Sequence, residues 1–139
     1  MKLEITNGPA ALEQIHGALE AFWRKHEHVP QHIRNEISIA AGEIAANILE
    51  HARAVTLWME LRVRPDAVEV EFIDPGEPAE LDLTAASMPD EMAERGRGLA
   101  LAQAALRLLS YFRDEVGNHW RLVSNAFSPS RRSDSAEDV

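Results

Sequence analysis

The sequence predicts a two-layer α+β sandwich, a mixed and mostly antiparallel sheet with helices on one face. Three observations carry this. Two stretches, 9–28 and 31–52, repeat apolar residues at helical spacing. Two adjoining runs, 55–63 and 68–73, alternate apolar and polar residues around Arg64-Pro65-Asp66-Ala67, which reads as a turn. The 139 residues amount to one domain. A chain of this size hides about two-thirds of its unfolded surface, enough for a real core.

The elements follow in order. Leu3 and Ile5 share one side of a short strand over residues 2–6. Asn7, Gly8 and Pro9 break it, with Asn7 placed to cap a helix and Pro9 suited to a first turn. Leu12, Ile15, Leu19, Phe22 and Trp23 form one face of that helix, which ends near His28 because Pro30 disfavours helix before it. A second helix runs from about Gln31 to Ala52, where Ile33, Ile37, Ile44 and Ile48 make the buried stripe. The hairpin follows, with Val55, Leu57, Met59, Leu61 and Val63 on one strand and Val68, Val70 and Phe72 on the other. Residues 74–96 hold Pro75, Gly76, Pro78, Pro89 and Gly96 with many acids and no sustained period, a long connection of the kind that is functional or disordered. Leu99, Ala102, Leu106 and Leu109 fit a third helix. Strands near Leu109–Asp114 and His119–Asn125, turning at Gly117-Asn118, close the fold. The globular domain spans 1–127, and the polar residues 128–139 read as a disordered tail.

Composition narrows the function classes. Lys and Arg number 14 against 23 Asp and Glu, a formal net charge of −9. That balance is wrong for gripping nucleic acid or anionic lipid. Without cysteine, disulfides, thiolate catalysis and thiolate metal sites are excluded. No apolar run reaches the roughly 18 residues of a membrane span. The opening MKLEITNGPA lacks a signal-peptide core, so a cytoplasmic protein is expected.

Three local patterns bear on chemistry. Glu43, Asn47 and His51 follow one another at four-residue steps, so they share a side of the second helix at the edge of its buried stripe. A carboxylate and an amide one turn apart can hold Mg²⁺ and its water through oxygen, although solvated helix residues show the same spacing. Asp74, in Asp74-Pro75-Gly76-Glu77-Pro78, has the parity of Val68, Val70 and Phe72 and points toward the core at a strand's end. It can accept a hydrogen bond from a ligand amine, with Gly76 permitting close backbone approach, or simply initiate a turn. Glu94-Arg95-Gly96-Arg97-Gly98-Leu99 precedes the third helix, where exposed backbone N–H groups favour phosphate, although a flexible loop would look alike. His26, His28 and His32 offer a metal-ligand spacing broken by Pro30, which fits a solvated inter-helix turn better.

Taken together, the three patterns resemble the GHKL, or Bergerat-fold, ATPases, which include histidine-kinase catalytic domains, type-II topoisomerases and anti-sigma-factor serine kinases. EIAANILEH is similar to the Mg-binding helix motif, DPGEP to the adenine motif, ERGRGLALAQAAL to the second glycine box and GNHWRLV to the closing strand. The resemblance covers roughly residues 1–126 and is nearest to the anti-sigma-factor kinase branch. It implies ATP and Mg²⁺ as cofactors, with Glu43 as general base or water-positioning carboxylate and Asn47 as the Mg²⁺ ligand. It further implies Asp74 and Gly76 at adenine, Gly96, Arg97, Gly98 and Leu99 around the phosphates, and Arg95 reaching the terminal one. The implied activity is serine/threonine kinase action on a small anti-anti-sigma (STAS-like) partner, with binding of a sigma factor and a homodimer left open. The alternative is a nucleotide-binding partner-switch or sensor module without phosphotransfer. No nucleic-acid or membrane partner is expected.

Overall fold

In a computed structural model, which describes residues 1–78, 100 and 102–128, the expected two layers form. The order is β1 (Lys2–Thr6), α1 (Ala11–Lys25), α2 (Gln31–His51), β2 (Thr56–Arg64), β3 (Ala67–Asp74), β4 (Leu106–Arg113) and β5 (Asn118–Ser124). The five strands form one sheet in the order β1-β2-β3-β5-β4. Every pairing among them is antiparallel, in line with the mostly antiparallel sheet expected.

Strand alternation decides what the sheet buries. Ile5, Leu57, Met59, Leu61, Val70, Phe72, Trp120 and Leu122 lie in one core with Ile15, Leu19 and Phe22 of α1 and Ile33, Ile37, Ile44 and Ile48 of α2. The opposite face carries Glu4, Trp58, Ile73, His119 and Phe112 as one cross-strand row, with the Phe112 and His119 rings stacked 4.4 Å apart. Among the described residues, no helix is long and apolar enough to cross a membrane.

Several local expectations are corrected. Asn7 does not cap α1, whose N-cap is Ala10 without a side-chain bond. Its Nδ2 donates instead to Leu49 O (3.2 Å) and Ala54 O (3.0 Å), satisfying a carbonyl left over at the end of α2. Leu12, assigned to the buried face of α1, is 38% exposed, and Val55 is 73% exposed because β2 begins after it. Helix α1 stops at Lys25 rather than His28, because the chain folds back to bury Val29. Leu106 and Leu109 belong to β4 and not to a third helix, of which residues 102–105 are helical. Their three-residue spacing fits a helix, but pairing with Ser124 and Leu122 of β5 decides otherwise. Asn118 opens β5, so the turn lies before it.

Candidate functional site

The site is assembled where the end of α2 meets the end of β3. Asp74 is fully buried, as its parity with Phe72 requires. Its Oδ1 accepts from the backbone N–H of Gly76 (2.8 Å) and from Asn118 Nδ2 (3.0 Å). Its Oδ2 is buried and has no hydrogen-bond partner among the described residues. A buried carboxylate oxygen without a donor costs free energy comparable to a lost hydrogen bond or more. Such a group in a native fold calls for a donor, which a ligand, an ordered water or an ion can supply.

Two glycines shape the turn around this carboxylate. A Cβ on Gly76 would lie 2.2 Å from Ala52 O and 2.9 Å from Ala52 Cβ. A close approach that needs glycine here is the one to the end of α2. The same contact carries the Glu77 N–H bond to Ala52 O (2.7 Å), which fastens the turn to the helix. Gly117 has φ +145°, and a Cβ there would lie 2.0 Å from Asp74 O. Asp114 holds that second turn, its Oδ1 accepting from Val116 N–H (2.9 Å) and Gly117 N–H (3.3 Å) and bonding His119 Nε2 (2.8 Å). The His119 bond leads the contacts that hold its carboxyl below the usual aspartate range.

Helix α2 brings in the second group. Glu43 and Asn47 are half-buried, one turn apart, and neither forms a side-chain hydrogen bond or ion pair among the described residues. Asn47 precedes Ala52, to which the turn is fastened, by five residues, roughly 7 Å along the axis. This leaves an oxygen-rich pair with donor atoms available to a cation. His51 lies at the helix end, 39% exposed, with Nε2 3.4 Å from Glu50. Arg95, Gly96, Arg97, Gly98 and Leu99 lie outside the described residues.

Asn118, Tyr111 and Arg113 were not assigned from the sequence. Asn118 is 1% exposed and pairs directly opposite Asp74. The signal was available, since Asn118 shares parity with the inward Trp120 and Leu122 as Asp74 does with Phe72. Tyr111 and Arg113 carry no such signal, because only the β4–β5 register brings them to Asn118.

Other groups fall elsewhere. The His26 ring lies 4.4 Å from Phe22 and 6.0 Å from His28, and His28 lies 6.4 Å from Phe127. Burial, then the neighbouring His28, pushes the His26 ring below its ordinary value. Among the described residues, no three His, Asp or Glu side chains come together as a metal site. Two open clefts, about 380 Å³ beside Trp58 and about 560 Å³ beside His28 and Phe127, include neither Asp74, Glu43 nor Asn47.

The family model of the histidine kinase-like ATPase domain matches residues 5–124. The chain is similar in structure to the RsbU and RsbW domains of Rv1364c from Mycobacterium tuberculosis, with 15% identity and a TM-score of 0.60, over 91% of this chain and 32% of that one. It is also similar to the histidine kinase domain of the blue-light activated histidine kinase from Erythrobacter litoralis EL346, with 16% identity and a TM-score of 0.50, over 93% of this chain and 64% of that one. The chain thus spans less than two-thirds of either protein's length, and at such identity the likeness is one of fold. No curated protein matches the sequence. Because the family model covers most of its length, the chain belongs to the histidine kinase-like ATPase domain family.

Proposed function

We propose that the chain binds ATP with Mg²⁺ between α2 and the turn after β3. In this reading it is a cytoplasmic serine/threonine kinase of the anti-sigma-factor type. It transfers the terminal phosphoryl group to a small anti-anti-sigma (STAS-like) partner and binds a sigma factor or similar regulator. Family membership supports the nucleotide half of this reading. The observation that carries it is the bare Oδ2 of buried Asp74, an acceptor matched to the amino group of adenine. Likeness to a structure described as holding an RsbW domain supports the partner-switch half.

Each residue then has a task. Asp74 accepts from the adenine amine. Asn47 supplies an oxygen to Mg²⁺, whose chemistry is to neutralise charge on the phosphates. Arg95, Gly96, Arg97, Gly98 and Leu99 hold those phosphates. Glu43 takes the proton of the acceptor hydroxyl as its oxygen bonds the terminal phosphorus and the bond to the ADP oxygen breaks.

The test is incubation of terminally labelled ATP and Mg²⁺ with the chain and a candidate acceptor-domain protein. Label should appear on a serine or threonine of the partner. Glu43→Gln should slow that transfer by about 100-fold or more while keeping nucleotide affinity. Calorimetry showing no binding of Mg-ATP would overturn the reading. Binding without transfer to any partner would favour the non-catalytic nucleotide-binding module.

A further inference from the structure

The bare oxygen of Asp74 is bare because of a chain of polarity that begins on the edge strand. Asn118 is the middle of that chain. Its Oδ1 lies 2.5 Å from Tyr111 Oη and 3.0 Å from Arg113 Nη1. Its Nδ2 lies 3.0 Å from Asp74 Oδ1 and 2.7 Å from Glu77 O. An amide presents an oxygen on one side and an NH₂ on the other, so its neighbours decide which way it faces. Arg113 only donates, and Glu77 O, a backbone carbonyl, only accepts. The oxygen of Asn118 must therefore face Arg113 and its NH₂ must face Asp74. Arg113 also donates to Gly76 O (2.8 Å), so it grips the turn and the amide together.

We infer that Asn118, oriented by Tyr111 and Arg113, is the positioning residue that sets the ligand selectivity of Asp74. With Gly76 N–H it occupies Oδ1, leaving Oδ2 as the single acceptor for a ligand. A carboxylate with one oxygen fixed by two donors cannot rotate to offer another face. The site so built takes a ligand that presents N–H and rejects one that presents a carbonyl oxygen at the same place, because two facing acceptors leave a buried group unpaired. This rests on the nucleotide reading given above and adds the residues that enforce it.

The experiment compares ATP with inosine triphosphate, which bears a carbonyl oxygen where adenine bears its amino group and an N–H at the neighbouring ring nitrogen. Calorimetric titration of the full chain with Mg²⁺ and each nucleotide should show wild type preferring ATP by about 10- to 100-fold. Asn118→Ala should reduce that ratio at least fivefold, since the freed carboxylate can turn. Arg113→Gln, an exposed position, should reduce it about two- to fivefold while leaving the melting temperature nearly unchanged, which keeps the inference open to test if Asn118→Ala does not fold. A merely structural role would weaken both nucleotides alike and leave the ratio intact. An unchanged ratio in Asn118→Ala, or in Arg113→Gln together with Tyr111→Phe, overturns the role of Asn118 while the adenine reading stands. Equal affinity of wild type for the two nucleotides, or no affinity for either, overturns both.

Discussion

Strand β3 carries two buried carboxylates five residues apart, Glu69 and Asp74, and they are treated in opposite ways. An odd separation puts them on opposite faces of the sheet. Glu69 faces outward and is saturated with charge. Arg62 Nε lies 2.8 Å from its Oε1, Arg64 Nη2 3.0 Å from the same oxygen, and Arg121 Nε 2.6 Å from Oε2. Asp74 faces the helix layer and, among the described residues, has only neutral donors on one oxygen and none on the other. Burial alone therefore does not mark a functional carboxylate. A carboxylate whose arginine partners already fill it is part of the scaffold, and the one left half-filled beside a rigid turn is the one we propose meets a ligand.

The sharpest way to break this contrast is to remove the rigidity on which it depends. Gly117→Ala places a Cβ where Asp74 O already lies 2.0 Å away, on a backbone with φ +145°. It should cost about 2–4 kcal/mol of folding stability, read from chemical denaturation, and impair nucleotide binding as the turn shifts. A change under about 0.5 kcal/mol would show that the two turns are not coupled.

Next comes Glu69→Gln, which leaves three arginines without their carboxylate. These are 32%, 56% and 46% exposed for Arg62, Arg64 and Arg121, so water softens the loss to about 1–3 kcal/mol. Nucleotide affinity should hardly move. The same network predicts a pH dependence. Burial works against the Glu69 carboxylate, but hydrogen bonds led by Arg62 and Arg121 lower its pKa from 4.5 to about 2. A depressed folded value means fewer protons bound in the folded state. The contribution is thus complete above pH 4.5 and is lost as pH falls toward about 2. Denaturation midpoints of wild type and Glu69→Gln should converge across that window, and parallel curves would remove the network from the acid response.

Asp74→Asn should do the reverse of Glu69→Gln. It removes a half-satisfied buried carboxyl group, so stability should stay within about 1 kcal/mol of wild type or rise. ATP affinity should fall, and the preference for ATP over GTP, about 10- to 100-fold in wild type, should narrow because asparagine donates as well as accepts. Equal wild-type affinity for both nucleotides would make Asp74 a turn residue. Asn47→Ala has the smallest structural effect, within about 0.5 kcal/mol, because the half-buried amide makes no side-chain hydrogen bond among the described residues. It should nevertheless abolish the Mg²⁺ dependence of nucleotide binding. Unchanged Mg-ATP affinity would remove Asn47 from the site.

Periodicity by itself determined the layers, because burial on a helix or strand repeats with the geometry of its own backbone. The isoleucine stripe of α2 and the inward faces of β2 and β3 could be read that way, and so could the inward aim of Asp74. Identity of the partners was not local. Asn7 serves the end of α2 rather than the start of α1, 42 residues away from Leu49. Gly76 is glycine for the sake of Ala52, and Gly117 for the sake of Asp74. Leucines at helical spacing became β4 because β5 offered a register to pair with. The bare oxygen of Asp74 depends on Asn118, whose polarity depends in turn on Tyr111 and Arg113. A local pattern fixes which way a side chain points, since that follows from backbone dihedrals. What meets it there is decided by strand order and register, which join residues far apart in the chain, and only the tertiary structure contains them.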